Sequence, residues 1–155
     1  TSVDYSGDFV DWGTAIDNKG TWHTPSYDEW HYLLTTTARM EYGKPCYTIA
    51  KSGITIGETS YKGLFLYPDN YNGAEVSESM TWDEINAAGV VFIPAADSRD
   101  GKRVSTTRHG IWSSTTDTGD DVESACKFYI TDRVESKNYE LRHSGFPVRL
   151  VSDVK

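Results

Sequence analysis

The last third of the sequence most constrains the fold, because two framework-like segments enclose a stretch of different chemistry. Residues 110–115 (GIWSST) and 145–151 (GFPVRLV) combine glycine, aromatic and branched apolar residues, as short scaffold strands do. Residues 116–144 between them are rich in charged, amide and hydroxyl groups. The pattern predicts a rigid scaffold that carries a chemically diverse surface segment.

Within the enclosed stretch, polarity alternates over six residues. Cys126, Phe128 and Ile130 fall on one side, whereas Lys127 and Tyr129 fall on the other. This period of two predicts a strand with one buried side and one side in contact with water.

Residues 131–144 mix charged, amide, aromatic and hydroxyl groups with almost no periodicity, which favours ligand recognition over packing. Tyr129 and Tyr139 offer large contact areas at little cost in rotamer entropy. Arg142 offers fork-shaped donors or, alternatively, forms an internal ion pair beneath the last strand, as we expect for Arg149. The candidate ligand-binding residues are Asp117, Lys127, Tyr129, Thr131, Asp132, Arg133, Glu135, Lys137, Asn138, Tyr139, Glu140, Arg142, His143 and Ser144.

Composition indicates one globular domain, residues 1–155, of the α+β class. A chain of this length buries roughly 70% of the surface that its unfolded form exposes. Its residues are 37% hydrophobic and 13% aromatic, which is enough for a core. Thirteen spread glycines favour short strands and turns over a helical bundle.

The net charge of −8, without a Lys/Arg cluster, disfavours nucleic acid and anionic membranes as partners. No run approaches about 18 apolar residues, so we expect no membrane insertion. The chain begins at Thr1 without a signal-like segment, which suggests a mature or excised piece of a longer protein.

Two capping boxes predict two short helices. Ser26 with Glu29 opens the first, and Thr81 with Glu84 opens the second, which Gly89 ends. The expected inner faces carry Tyr27, Trp30, Leu33 and Leu34 in the first helix and Ile85 and Ala88 in the second. The remaining patterns predict a short strand or strand end at 9–13, a turn at 17–20, weak strand character at 44–60, buried strands at 63–68 and 90–94, and a polar excursion at 95–108.

The sequence contains no recognised spacing for catalysis or metal binding. The histidines lack the HExxH pattern, no Gly-x-Ser-x-Gly elbow occurs, and the loop acids have no EF-hand spacing. We therefore predict no catalytic residue, no metal and no cofactor. The acids considered as cation ligands, with solvated loop acids as the favoured interpretation, are Asp97, Asp100, Asp117, Asp120, Asp121 and Glu123.

Two further residue types have alternative interpretations. The cysteines, Cys46 and Cys126, form one disulfide, or Cys126 is a buried thiol. The tryptophans form a sugar-stacking platform or, as we expect, the core, because each adjoins a predicted strand or helix face. They are Trp12, Trp22, Trp30, Trp82 and Trp112.

Six segments in order carry a resemblance to a known family. They are residues 10–13 (VDWG), 20–30 (GTWHTPSYDEW), 64–71 (LFLYPDNY), 87–96 (AAGVVFIPAA), 111–115 (IWSST) and 146–151 (FPVRLV). The series resembles C-type-lectin-like domains of the formylglycine-generating-enzyme type, in a branch of secreted paralogous domains common in Bacteroidetes and Fibrobacter. The resemblance implies two helices packed on a small, twisted, mostly antiparallel sheet with a loop-rich second half.

The closing tryptophan-serine-serine and valine-arginine-leucine signatures are similar to those of the variable proteins of diversity-generating retroelements. In those proteins the segment between the signatures is mutagenised, and here it is residues 116–144. The resemblance implies a non-catalytic recognition domain, extracellular on a cell surface or a virion, that binds a receptor or target protein, with a glycan as a further candidate partner. Its oligomeric state is open.

Two alternatives accompany this interpretation. One is a secreted bacterial adhesin or carbohydrate-binding module with the same fold. The other is an oxidase of the formylglycine-generating type, which holds copper with a closely spaced cysteine pair near the C-terminus. This sequence departs from that pattern, because Cys46 and Cys126 lie far apart.

Overall fold

The computed structural model describes residues 10–17, 19–34, 47–69, 71–77, 79–106, 109–117, 124–130 and 134–153, with the backbone alone for 48–52 and 134–138. The described elements are a short 3-10 helix (Trp12–Ala15), β1 (Trp22–His23), α1 (Tyr27–Leu34), β2 (Tyr47–Ile56), β3 (Thr59–Leu66), α2 (Trp82–Ala87), β4 (Val91–Pro94), β5 (Ser98–Asp100), β6 (Arg103–Ser105), β7 (Gly110–Thr116), β8 (Ser124–Ile130), β9 (Val134–Leu141) and β10 (Val151–Ser152).

The protein is of the α+β class, as the sequence predicts. The described strands form four small sheets: β1–β10, β2–β3–β4, β5–β6 and β7–β8–β9. Each pairing whose register is described is antiparallel. The expectation of one sheet is therefore wrong. Five of the strands, β1, β4, β5, β6 and β10, have four residues or fewer.

Contacts within the chain group its residues into two compact units. The first unit comprises Thr1–Trp30, Ala96–Tyr129 and Glu135–Lys155, and the second comprises His31–Ala95 and Ile130–Val134. Each unit is described below by itself.

The second unit has an aromatic and aliphatic core on the β2–β3–β4 sheet. Phe65 of β3 and Phe92 of β4 are buried, with ring centroids 5.1 Å apart. Ile85 of α2 is fully buried in the same cluster. Both predicted buried strands of this unit are thus confirmed, and the weak strand pattern at 44–60 contributes β2.

The first unit packs the start of α1 against the β7–β8–β9 sheet. Trp30 is 1% exposed and Phe128 of β8 is fully buried, with ring centroids 6.2 Å apart. Tyr27 stacks on the same phenyl ring at 5.4 Å. The Trp30 Nε1–H donates to the Trp112 carbonyl at 3.3 Å, which satisfies the polar end of a buried indole.

Both predicted capping boxes are present. Glu29 accepts from the Ser26 backbone N–H at 2.8 Å, and its own N–H donates to the Ser26 hydroxyl at 3.2 Å. Thr81 and Glu84 make the same reciprocal pair at the start of α2. Hydrogen bonds from the backbone and hydroxyl of Thr81 hold the pKa of Glu84 below its ordinary value.

One local prediction is wrong. The segment predicted as a short strand near residues 9–13 instead contains the 3-10 helix, because the Asp11 carboxylate accepts from the Gly13 N–H at 2.7 Å and so bends the chain. The polar excursion at 95–108 contains the β5–β6 hairpin. Among the described residues, no helix has the length and apolar character needed to cross a membrane.

Candidate functional site

The first unit contains a partly open pocket of about 470 Å³, within the size range of small-ligand sites. Five parts of the chain form its wall: the 3-10 helix region, the segment after β1, β7, β8 and the segment after β9. Its lining residues are Val10, Trp12, Thr24, Trp112, Ser113, Ser114, Thr116, Ala125, Arg142, His143, Ser144, Gly145, Phe146 and Val148.

One wall is set by the Asp11 carboxylate. In addition to Gly13, it accepts from the Thr24 backbone N–H at 3.0 Å, so it ties the 3-10 helix to the segment after β1. Gly13 is required there, because an added Cβ would collide with the Trp22 carbonyl oxygen. Trp12 lies between Asp11 and Gly13 in the sequence, lines the pocket and is 66% exposed.

The opposite wall contains an irregularity in the β7–β8 pairing. Trp112 pairs with Lys127 and Thr116 pairs with Ala125, so four steps along β7 match two along β8. Bulges of this kind redirect side chains and occur often beside functional sites. Ser113 and its neighbour Ser114 line the pocket from this bulge, and the Ser113 hydroxyl donates to the Cys126 carbonyl at 2.9 Å.

The third wall is the turn that follows β9. The Ser144 N–H donates to the Leu141 carbonyl at 2.9 Å, which closes the turn. Gly145 then exchanges backbone hydrogen bonds with Arg99 of β5 at 2.6 and 2.8 Å. Backbone hydrogen bonds thus hold both ends of the turn. The turn contains three predicted site residues that line the pocket: Arg142, His143 and Ser144.

Arg142 is half-buried, and its Nε–H donates to the Ser124 carbonyl at 3.5 Å. Among the described residues, no carboxylate forms an ion pair with this guanidinium. The alternative, an internal ion pair beneath the last strand, stays a prediction, because the acids Asp120, Asp121 and Glu123 before Ser124 lie outside the described residues. Arg149, for which the same pairing was expected, is exposed.

His143 lies at the pocket with a side chain that is 38% exposed. Its Nε2 is 3.8 Å from a carboxylate oxygen of Asp100, which is itself 74% exposed. The imidazole is thus available for polar contacts from the pocket side.

The prediction that Lys127 faces water on β8 is wrong. Lys127 was expected on the water-facing side as a ligand contact, but it is fully buried. Its ammonium lies 2.6 Å from the Glu140 carboxylate and donates to the Tyr129 hydroxyl at 2.9 Å. It also lies 4.2 Å from the centroid of the Phe146 ring. On the other side of β8, Cys126, Phe128 and Ile130 are buried as predicted. Buried residues therefore lie on both sides of this strand.

The other predicted site residues are placed as follows. Tyr139 is 39% exposed on β9, whereas Tyr129 and Glu140 are half-buried partners of Lys127. Asp117 is half-buried after β7, and its N–H donates to the Ser124 carbonyl. Glu135, Lys137 and Asn138 belong to β9 with only their backbone described, and Thr131, Asp132 and Arg133 lie outside the described residues.

The tryptophans do not all belong to the core. Trp30 is buried, Trp82 packs against the core of the second unit, and Trp112 meets the Phe146 ring edge-on at 5.2 Å. Trp12 and Trp22 are exposed, so the core prediction is wrong for both.

Sequence reasoning missed most of the pocket lining outside 116–144. The available signal was the Asp11-Trp12-Gly13 triplet, in which an aspartate can cap a tight turn and thereby orient the indole.

The described residues contain no group of three or more His, Cys, Asp or Glu side chains placed to hold a metal ion. Cys126 is fully buried, and Cys46, with which a disulfide was considered, lies outside the described residues.

Comparison with known proteins adds no further assignment: no family model, no curated protein and no solved structure matches the chain.

Proposed function

We propose that the protein is a non-catalytic recognition domain that binds a target protein on a cell surface through the pocket of the first unit. One observation carries the proposal: Arg142, His143 and Ser144, consecutive members of the predicted recognition segment, line one pocket together with Trp12 and Trp112. Large aromatic rings, an arginine and small hydroxyl residues are the composition of protein-binding surfaces.

The rigid framework around the pocket supports the same proposal. The 3-10 helix is tied by Asp11, and the turn after β9 is tied at both ends. Binding to groups that are already held in place costs little conformational entropy. Residues 116–144 lie between two signatures that resemble those of retroelement variable proteins, and this position fits a scaffold whose contact residues change while the framework stays.

A second candidate is binding of a surface glycan, as in an adhesin module. The observation that favours it is the exposed indole of Trp12, which lines the same pocket as Ser113 and Ser114. A flat aromatic face with nearby hydroxyls suits a sugar ring as well as a peptide.

The test is binding of the full chain to arrays of bacterial surface proteins and of glycans. The site variant is Trp12→Ala combined with His143→Ala, and the matched control is Trp22→Ala, an exposed indole that does not line the pocket. We expect selective protein binding that weakens about tenfold or more in the site variant and persists in the control.

Circular dichroism and the dispersion of the amide NMR spectrum verify that both variants are folded. Glycan binding lost in the site variant would replace the first candidate by the second. Binding that is the same in the wild type and the site variant would contradict a role for the pocket.

A further inference from the structure

We infer that the pocket is a carboxylate-binding subsite in which Arg142 anchors an acidic side chain of the target protein. This inference rests on the proposed function and specifies the chemistry of the group that enters the pocket.

The state of the Arg142 guanidinium is the first argument. It is half-buried and lines the pocket, yet its described hydrogen bonding is limited to the Nε donation to Ser124. A guanidinium carries five N–H donors in a planar fork that matches a carboxylate. Most half-buried charges have a partner of opposite sign within the protein, so an arginine without a described carboxylate partner favours an anionic ligand.

The charge of the pocket is the second argument. The chain carries 23 acidic and 15 basic residues, whereas the described residues that line the pocket include Arg142 and His143 and no aspartate or glutamate. A target carboxylate would therefore meet a local basic site within an otherwise acidic protein. Such local complementarity determines specificity more than total charge does.

The shape and lining of the pocket limit the ligand further. Trp12 and Trp112 provide flat apolar faces, and Ser114 and Ser144 provide small polar groups near the cation. A ligand that carries a carboxylate next to an aromatic or apolar group would complement both the basic and the aromatic residues of the lining. An aromatic-acidic dipeptide unit in a target loop has this chemistry and fits the volume.

The test uses two probes that differ only in charge, acetyl-Trp-Glu-amide and acetyl-Trp-Gln-amide. Each is titrated into the ¹⁵N-labelled full chain, and the dissociation constant is read from amide chemical shifts. We expect the Glu probe to bind about tenfold more tightly, which corresponds to about 1.4 kcal/mol for one charge-assisted contact.

Two variants distinguish a specific contact with Arg142 from an effect of the net charge of the protein. Arg142→Gln should abolish the preference for the Glu probe, whereas Arg149→Gln, which removes an exposed arginine outside the lining, should retain it. The preference of the wild type should also shrink between low and high salt, a measurement that needs no variant. Equal binding of both probes, or a preference that persists in Arg142→Gln, would overturn the inference.

Sodium glucuronate, titrated in parallel, distinguishes the source of the carboxylate. Saturable shifts of the pocket amides with glucuronate but not with the peptide probes would overturn the assignment to a protein side chain. The array experiment is independent of these titrations. If protein binding still depends on Trp12 and His143 while the Glu probe has no advantage, the inference fails and the proposed function stands.

Discussion

At the scale of single residues, Lys127 shows how a charged side chain becomes part of the interior. Its strand lies in the middle of the β7–β8–β9 sheet, and its ammonium is surrounded by the Glu140 carboxylate, the Tyr129 hydroxyl and the Phe146 ring. Burial of an ammonium is costly unless a carboxylate and further polar contacts compensate for lost hydration. The pair therefore stabilises the fold only while both members are present.

We expect Glu140→Gln to lower the free energy of unfolding by about 3 kcal/mol, because it leaves a fully buried ammonium without its carboxylate. Lys127→Met should cost less, about 1 kcal/mol, because the Glu140 side chain is 22% exposed and stays partly hydrated. Urea unfolding of both variants gives these values. Asp100→Asn, which changes a 74% exposed carboxylate, is the control and should have little effect. A larger loss in Lys127→Met than in Glu140→Gln would contradict this account.

At the scale of secondary-structure elements, the N-terminus of α1 depends on Glu29. Partial burial opposes ionisation of this carboxyl, but hydrogen bonds from the Ser26 backbone, from His23 and from the Ser26 hydroxyl outweigh it and lower its pKa. The helix start is therefore stabilised by the ionised carboxylate. The same element positions Trp30 and Tyr27 against Phe128, so the cap supports the core of the first unit.

The lowered pKa of Glu29 predicts the direction of a pH effect. A carboxyl whose pKa is lower in the folded state adds stability above its unfolded value, about 4.3, and this stability disappears as the pH falls through the folded value. We expect Glu29→Gln to be less stable than the wild type at pH 7, and the difference to shrink between about pH 5 and pH 3. Thermal unfolding across this range measures it.

Asp28→Asn is the control for that series, since it removes a neighbouring exposed carboxylate in the same helical turn. A difference between wild type and Glu29→Gln that stays constant down to pH 3 would show that the cap does not depend on the ionised carboxylate.

At the scale of the whole molecule, the first unit is assembled from three separate parts of the chain. Its strand β7 depends on residues at the start of α1 and just before it: the Ser114 N–H donates to the Pro25 carbonyl at 2.9 Å, and the Tyr27 N–H donates to the Thr115 hydroxyl at 2.8 Å. The first unit is thus not encoded by one continuous segment, although it contains the candidate site.

A fragment of residues 96–155 should therefore remain unfolded, although it contains most of the pocket lining. Without Trp30 and Tyr27, the buried Phe128 ring loses its aromatic neighbours, and loss of such core contacts typically costs about 3–5 kcal/mol. The amide NMR spectrum should show narrow dispersion, in contrast to that of the full chain. A well-dispersed spectrum from the fragment would contradict this view of the first unit.

Sequence patterns determined the features that depend on local chemistry. The capping boxes at Ser26 and Thr81, the buried strands around Phe65 and Phe92, and the buried side of β8 follow from hydrogen bonds or periodicity within a few residues. Such features need no knowledge of distant parts of the chain, and for the same reason the sequence predicted the α+β class.

Tertiary structure decided the features that depend on what covers each surface. Periodicity divides β8 into two sides, but only the placement of Glu140 and Phe146 makes the Lys127 side an interior one. Trp12 is exposed because Asp11 and Gly13 direct the backbone, and Arg142 meets it across a pocket because the turn after β9 is fixed to β5. Trp12 and Arg142 lie 130 positions apart in the sequence, and no local pattern encodes a contact surface shared by such distant residues.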